Sequence, residues 1–223
     1  MSPERLAELE TWLRSGAINQ RKQAIDELAG CDADLAVPLL QRLAADTDFL
    51  CRRFAVMGLA NHRTESAFQA LKHRLEVEQD DNVLAEIANS LFEFGELAVP
   101  LLQTIFEQNR HWLIRQTVLS ILMESEQDEI LLAVIREALL DETQTVKETA
   151  ILALGSLLKG ALQSEALDLL AALAEAEFWR DRWRAATALT LATDPRAKPL
   201  LVKLQQDENH YVAAAALESS LDG

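Results

Sequence analysis

The heptapeptide Leu35-Ala36-Val37-Pro38-Leu39-Leu40-Gln41 recurs word for word as Leu97-Ala98-Val99-Pro100-Leu101-Leu102-Gln103, 62 residues further along the chain. Self-similarity at a fixed offset is the signature of a repeat architecture, and 62 residues is two periods of about 31. Pro-Leu-Leu-x-x-apolar also begins at Pro199, and Leu-Leu-x-x-Leu without the proline runs from Leu169 to Leu173.

A second pattern follows each of these segments: an apolar residue, a basic one, a small one at +4 and a large apolar one at +8. The first column holds Gln20, Cys51, Leu84, Ile114, Val146, Trp183 and Val212. The second holds Arg21, Arg52, Ala85, Arg115, Lys147, Arg184 and Ala213. The small column is Ala24, Ala55, Ala88, Val118, Ala150, Thr187 and Ala216, and the last is Leu28, Leu59, Phe92, Leu122, Leu154, Leu191 and Ser220. The sixth block also admits a register with Arg182 in place of Arg184. Offsets of 0, +4 and +8 fall on one helical stripe. Each block therefore reads as a helix B, preceded by a helix A that carries the Leu-Leu stripe.

The punctuation agrees. Gly16, Gly30, Gly95 and Gly155 fall near expected helix ends, and Asp46, Asp48, Asp81 and Asp207 stand just before B helices, where a carboxylate caps free N–H groups. Pro38, Pro100 and Pro199 sit early in A helices; a first-turn proline costs no hydrogen bond, whereas one placed a turn later bends the helix. A single helical pair cannot bury its apolar face alone, so neighbours stack. The expected fold is all-α, a right-handed α-solenoid of about seven antiparallel helix pairs over residues 1–223 as one domain.

Composition narrows the rest. Only 7 Gly, 5 Pro and one Tyr in 223 residues argue against a sandwich or barrel, and 49% hydrophobic residues exclude a disordered acidic tail. Lys and Arg number 21 against 36 Asp and Glu, for a net charge of −15, so a general nucleic-acid binder is excluded. No apolar run reaches the roughly 18 residues of a membrane span. The start, MSPERLAELE, lacks a signal-peptide layout, and Cys31 and Cys51 form no metal or disulfide spacing. A cytoplasmic protein is expected.

On the columns above, as in Asp48 to Leu59, the chain resembles the HEAT-repeat superfamily, closest to the short HEAT-like repeats of the phycobilisome-lyase type. In those families the basic residue bridges to an acid of an adjacent repeat, which is what the resemblance implies for Arg21, Arg52, Arg115, Lys147 and Arg184. A metal-dependent HEAT enzyme of the deoxyhypusine hydroxylase type needs paired His-Glu steps; none of His62, His73, His111 and His210 is followed by Glu. There is no Gly-rich phosphate loop and no Gly-x-Ser-x-Gly elbow. Cys51 occupies a core column, and Cys31 lies in a turn. No catalytic, metal or cofactor residues are assigned.

Two features go beyond scaffold. The +5 positions of the B helices, Ile25, Val56, Asn89, Leu119, Ile151, Ala188 and Leu217, are apolar in all but one case. They form either an exposed strip for a partner helix, with Val56, Leu119 and Ile151 as its centre, or a seam buried between adjacent B helices. The second feature is the run Phe178-Trp179-Arg180-Asp181-Arg182-Trp183-Arg184, echoed by Arg110, His111, Trp112 and Arg115. Trp183 is expected in the core; Trp179, Arg180, Arg182, Arg110 and Trp112 are candidate partner anchors, the residue types enriched in binding hot spots. The alternative is Arg stems packed over Trp faces within the fold.

The expected function is a non-catalytic scaffold for another protein, one with a basic patch that the net charge would steer. The second possibility is what the family resemblance implies: a phycobilin lyase subunit or pigment-handling chaperone, with Arg180 and Arg182 pairing propionates and Trp179 stacking on the bilin. A HEAT-like DNA glycosylase needs a basic face that the charge argues against.

Overall fold

The computed structural model describes residues 1–218; Ser220, the last member of the +8 column, lies outside them. Among the described residues there are fourteen α-helices, in seven consecutive pairs. The first three pairs are α1 (Pro3–Ser15) with α2 (Ile18–Ala29), α3 (Ala33–Leu43) with α4 (Phe49–Ala60), and α5 (Glu65–Val77) with α6 (Asp81–Phe92). Next come α7 (Val99–Gln108) with α8 (Trp112–Met123), and α9 (Asp128–Ala138) with α10 (Gln144–Leu154). The last are α11 (Gln163–Leu173) with α12 (Trp179–Leu189), and α13 (Ala197–Leu204) with α14 (His210–Glu218). Short 3-10 turns precede α7 and follow α10. Two compact units divide the chain, Met1–Val118 and Leu119–Gly223.

Side-chain caps set several helix starts. Ser2, Asp32, Asp48 and Thr64 each accept from a backbone N–H in the first turn of the helix that follows. Asp80, not Asp81, caps α6, accepting from the N–H groups of Asn82 and Val83. Pro100 falls in the first turn of α7, but Pro38 lies well inside α3, where it withholds one helical hydrogen bond.

In the first unit α2 packs on α4 and α4 on α6, with α1 on α3 and α3 on α5 beside them; in the second unit α10 packs on α12 and α12 on α14. The +4 residues Ala24, Ala55, Ala88, Val118, Ala150 and Ala216 have no exposed surface, as expected of positions where helices approach closely. Gly58 serves the same end: a Cβ there would stand 2.8 Å from Cδ2 of Leu40.

The sixth block takes the second register. Trp183 is half-buried and Leu191 is exposed, whereas Ala185 and Leu189 are fully buried. The block is therefore Asp181, Arg182, Ala185 and Leu189, two residues earlier than the apolar Trp183 suggests. Glu86, which the stripe places on the solvent side, is buried too, with Arg53 Nε donating to its Oε2 at 3.0 Å.

The +5 strip is a seam and not a groove. Ile25, Val56, Leu119, Ile151 and Ala188 are buried, while Asn89 and Leu217 are exposed. The cause is direct B-on-B packing: the Ser90 hydroxyl of α6 donates to the Val56 carbonyl of α4 at 3.2 Å. Val56, Leu119 and Ile151 therefore offer no surface to a partner.

Candidate functional site

Most of the basic column is spent on joining repeats. Arg52 donates through Nη1 to the carbonyls of Asp46 and Thr47, and through Nε and Nη2 to Glu78, both at 3.0 Å. Arg21 binds the carbonyls of Leu13, Arg14 and Gly16 and reaches Asp48 at 2.7 Å. Arg182 repeats the Arg52 pattern with the carbonyls of Ala176 and Glu177 and the carboxylate of Asp207. Arg115 is buried, stacked 3.8 Å over the Phe106 ring and bonded to the Phe106 carbonyl. Lys147 forms no ion pair among the described residues.

Arg21, Arg52 and Arg182 thus each tie the end of one A helix, or the turn that follows it, to an acid of the next repeat. Burial pushes the Glu78 carboxyl upward, but donors from Arg52, the N–H groups of Asp80 and Gln79, and Arg74 hold it at about 2. The Asp207 carboxyl is held low chiefly by Arg182. Arg182 is therefore a structural joint and not a free anchor. The groove of about 450 Å³ beside it, lined by Ala174, Lys203 and Glu208, is walled by charges already paired with one another.

The remaining residues of the Arg/Trp run build a surface. Trp179 and Trp183 stand four apart on α12, and Tyr211 comes from the start of α14, 32 residues after Trp179. The three rings touch mutually: Trp179 stacks on Tyr211 with centroids 5.6 Å apart, Trp179 and Trp183 are 6.1 Å apart, and Trp183 and Tyr211 are 6.4 Å apart. Phe178 and His210 extend the cluster at its edges. Phe178 is 45% exposed and Tyr211 54%, while both tryptophans are half-buried.

Beside the rings, the Arg184 guanidinium sits 4.0 Å over Trp183. It also donates to the buried Glu148 of α10, whose other oxygen lies 2.8 Å from Arg180 Nε. All of these residues belong to the second unit.

Of the expected anchors, Trp179 and Arg180 fall in this cluster. Arg182, two residues from Arg180 and so about 200° around the helix, is directed to Asp207 instead. Arg110 and Trp112 lie in the first unit; Trp112 is 44% exposed and Arg110 is exposed without an ion pair among the described residues. Their neighbour His111 stands 3.6 Å from Asp81. Sequence reading missed Tyr211 and Glu148 and misplaced Trp183. The 32-residue spacing of Trp179 and Tyr211, one repeat period, carries the signal for Tyr211; nothing in the sequence marks Glu148 among so many acids.

Among the described residues no helix is long and apolar enough to cross a membrane. No group of three or more His, Cys, Asp or Glu among them stands close enough to hold a metal.

Comparison with known proteins adds the wider context. No curated protein matches the sequence. Among solved structures, YibA of E. coli superposes with a TM-score of 0.70 at 15% identity, covering 99% of this chain and 81% of that one. The karyopherin Kap121p, bound to the extreme C-terminus of the protein phosphatase Cdc14p, gives 0.54 at 17% identity over 98% of this chain and 29% of its own. The complex of CpcE and CpcF of phycocyanin lyase from Nostoc gives 0.50 at 18% identity, covering 100% and 88%. At these identities the likeness is one of fold. The family description HEAT repeats matches residues 6–92 and 131–221, and the chain belongs to the HEAT-repeat family.

Proposed function

We propose that this chain is a non-catalytic scaffold that binds another protein, with the Trp179–Trp183–Tyr211 surface as its contact centre. The observation that carries the reading is three mutually packed aromatic rings, part-exposed and bordered by Arg180 and Arg184. Trp, Tyr and Arg are the residue types that dominate interface energetics, and rings already fixed against one another lose little freedom on binding. The net charge of −15 supports a partner whose wider surface is basic.

Structural likeness lends support of a general kind: Kap121p, part of which has a similar fold, is seen bound to a protein segment. The pigment-handling alternative fits the residues less well. Arg180 is turned toward Glu148 and Arg182 toward Asp207, so they do not converge on two propionates of one bilin.

Affinity capture from extract of the native host, with wild type and Tyr211→Ala side by side, tests the reading. At least one protein should be retained by wild type and lost from the variant at low salt. If no retained protein distinguishes the two baits, this surface is not the binding site.

A further inference from the structure

We infer that the aromatic surface of α12 and α14 takes a partner segment presenting one carboxylate beside an apolar or aromatic side chain, with Arg180 and Arg184 as the carboxylate's receptors. This rests on the protein-binding reading above and adds the chemistry of what is bound.

The site holds a local surplus of unbonded guanidinium donors. Glu148 has almost no exposed surface, yet it faces two guanidiniums: Oε1 lies 2.8 Å from Arg180 Nε, and Oε2 accepts from Arg184 Nε and Nη2 at 3.0 and 2.9 Å. One carboxylate balances one of them. None of the other acids near this stretch of α12 is bonded to these two arginines among the described residues: Asp181 accepts from the Gln144 amide at 2.8 Å, and Asp207 and Glu208 face Arg182.

Neither terminal nitrogen of Arg180 is bonded among the described residues, and its side chain is 43% exposed. Nη1 of Arg184 likewise makes no hydrogen bond among the described residues. Donors are therefore left over on one side of α12, directly against the rings, where Arg184 already covers Trp183.

A guanidinium fork matches a carboxylate in shape as well as charge. A partner's Lys or Arg placed here would instead meet two cations. The acidic whole-chain charge opposes a polyacid at long range, but a single carboxylate inside a mixed or basic segment needs only the local pair, within about 10 Å. The adjacent rings then take the neighbouring apolar side chain.

Selection of a random peptide library displayed on phage against the immobilised protein tests this, with anisotropy titrations of the enriched peptides made synthetically. Enriched sequences should carry Asp or Glu within about two residues of an apolar or aromatic residue. Changing that acid to its amide, or Arg180→Gln, should each weaken binding about tenfold, and the two together little more than either alone. Glu148→Gln, which keeps the side-chain shape and frees both guanidiniums, should tighten binding severalfold; unchanged or weaker binding overturns the assignment. Peptides that lack an acid but still need Tyr211 overturn the carboxylate chemistry and leave the protein-binding surface standing. Absence of any peptide sensitive to Tyr211→Ala overturns both.

Discussion

Arg182 and Asp207 are joined by two bonds, Nε to Oδ2 at 2.7 Å and Nη2 to Oδ1 at 3.0 Å, while Nη1 of the same guanidinium holds the carbonyls of Ala176 and Glu177 at 2.9 Å. Arg52 and Glu78 make the same joint in the first unit. Removing the arginine leaves a largely buried carboxylate and two carbonyls without their donor. Arg182→Met should therefore cost roughly 3 kcal/mol, read as a lower denaturant midpoint. A loss below about 1 kcal/mol would reduce the joint to an ordinary surface ion pair.

Glu78 makes the first unit acid-sensitive. Its folded carboxyl titrates at about 2, below the ordinary carboxylate range, so the unfolded chain binds more protons at intermediate pH. The contribution is present above about 4.5 and is lost as pH falls through the folded value. Glu78→Gln should flatten stability between pH 5 and 2.5 in a chemical denaturation series; an unchanged slope would show that other acids dominate.

His62 acts in a milder range. Burial lowers its pKa, and its Nε2 is buried with no hydrogen-bond partner among the described residues. The unfolded chain takes up the proton first, so stability should fall as pH drops below about 6.5. His62→Leu should remove that component of the slope. A steeper slope in the variant would contradict the neutral assignment.

Leu59 and Leu122 have no exposed surface, and each substitution to Ala should cost about 2–5 kcal/mol as a core cavity. Because a repeat contacts mainly its neighbours, the gain in amide exchange should concentrate in adjacent helices. Uniform acceleration along the chain would argue for one cooperative unit.

Tyr211→Ala should lower binding with a stability loss of about 1 kcal/mol or less, since the ring is more than half exposed. Trp179→Ala, which removes contacts to both other rings, should cost somewhat more. A collapse of the melting temperature in Tyr211→Ala would reassign the cluster to packing.

The helical pairs were legible because each repeat restates the same solution to burial, so the small and large apolar columns reinforce one another. The sixth block failed on one residue: Trp183 looks like core by type, but the Asp181–Arg182–Ala185–Leu189 register obeys the arginine joint. Glu86 and Glu148 were illegible as buried groups, because their burial is compensated by arginines from a neighbouring repeat, which helical periodicity does not report. The +5 strip was apolar for a reason local spacing leaves undecided. How closely neighbouring helices approach is governed by small residues such as Ala55 and Gly58 together with the partners they meet, which spacing within one helix does not report.

The arginine joint asks for very little from either side: two carbonyls in the turn after one A helix and a single acid in the next repeat. Arg52 and Arg182 meet that requirement in different units with different acids, Glu78 and Asp207. The joint is thus an interchangeable fitting. A repeat gained or lost between two such fittings would find the same socket on its neighbour, so the number of repeats is free to change while the way each is fastened stays the same.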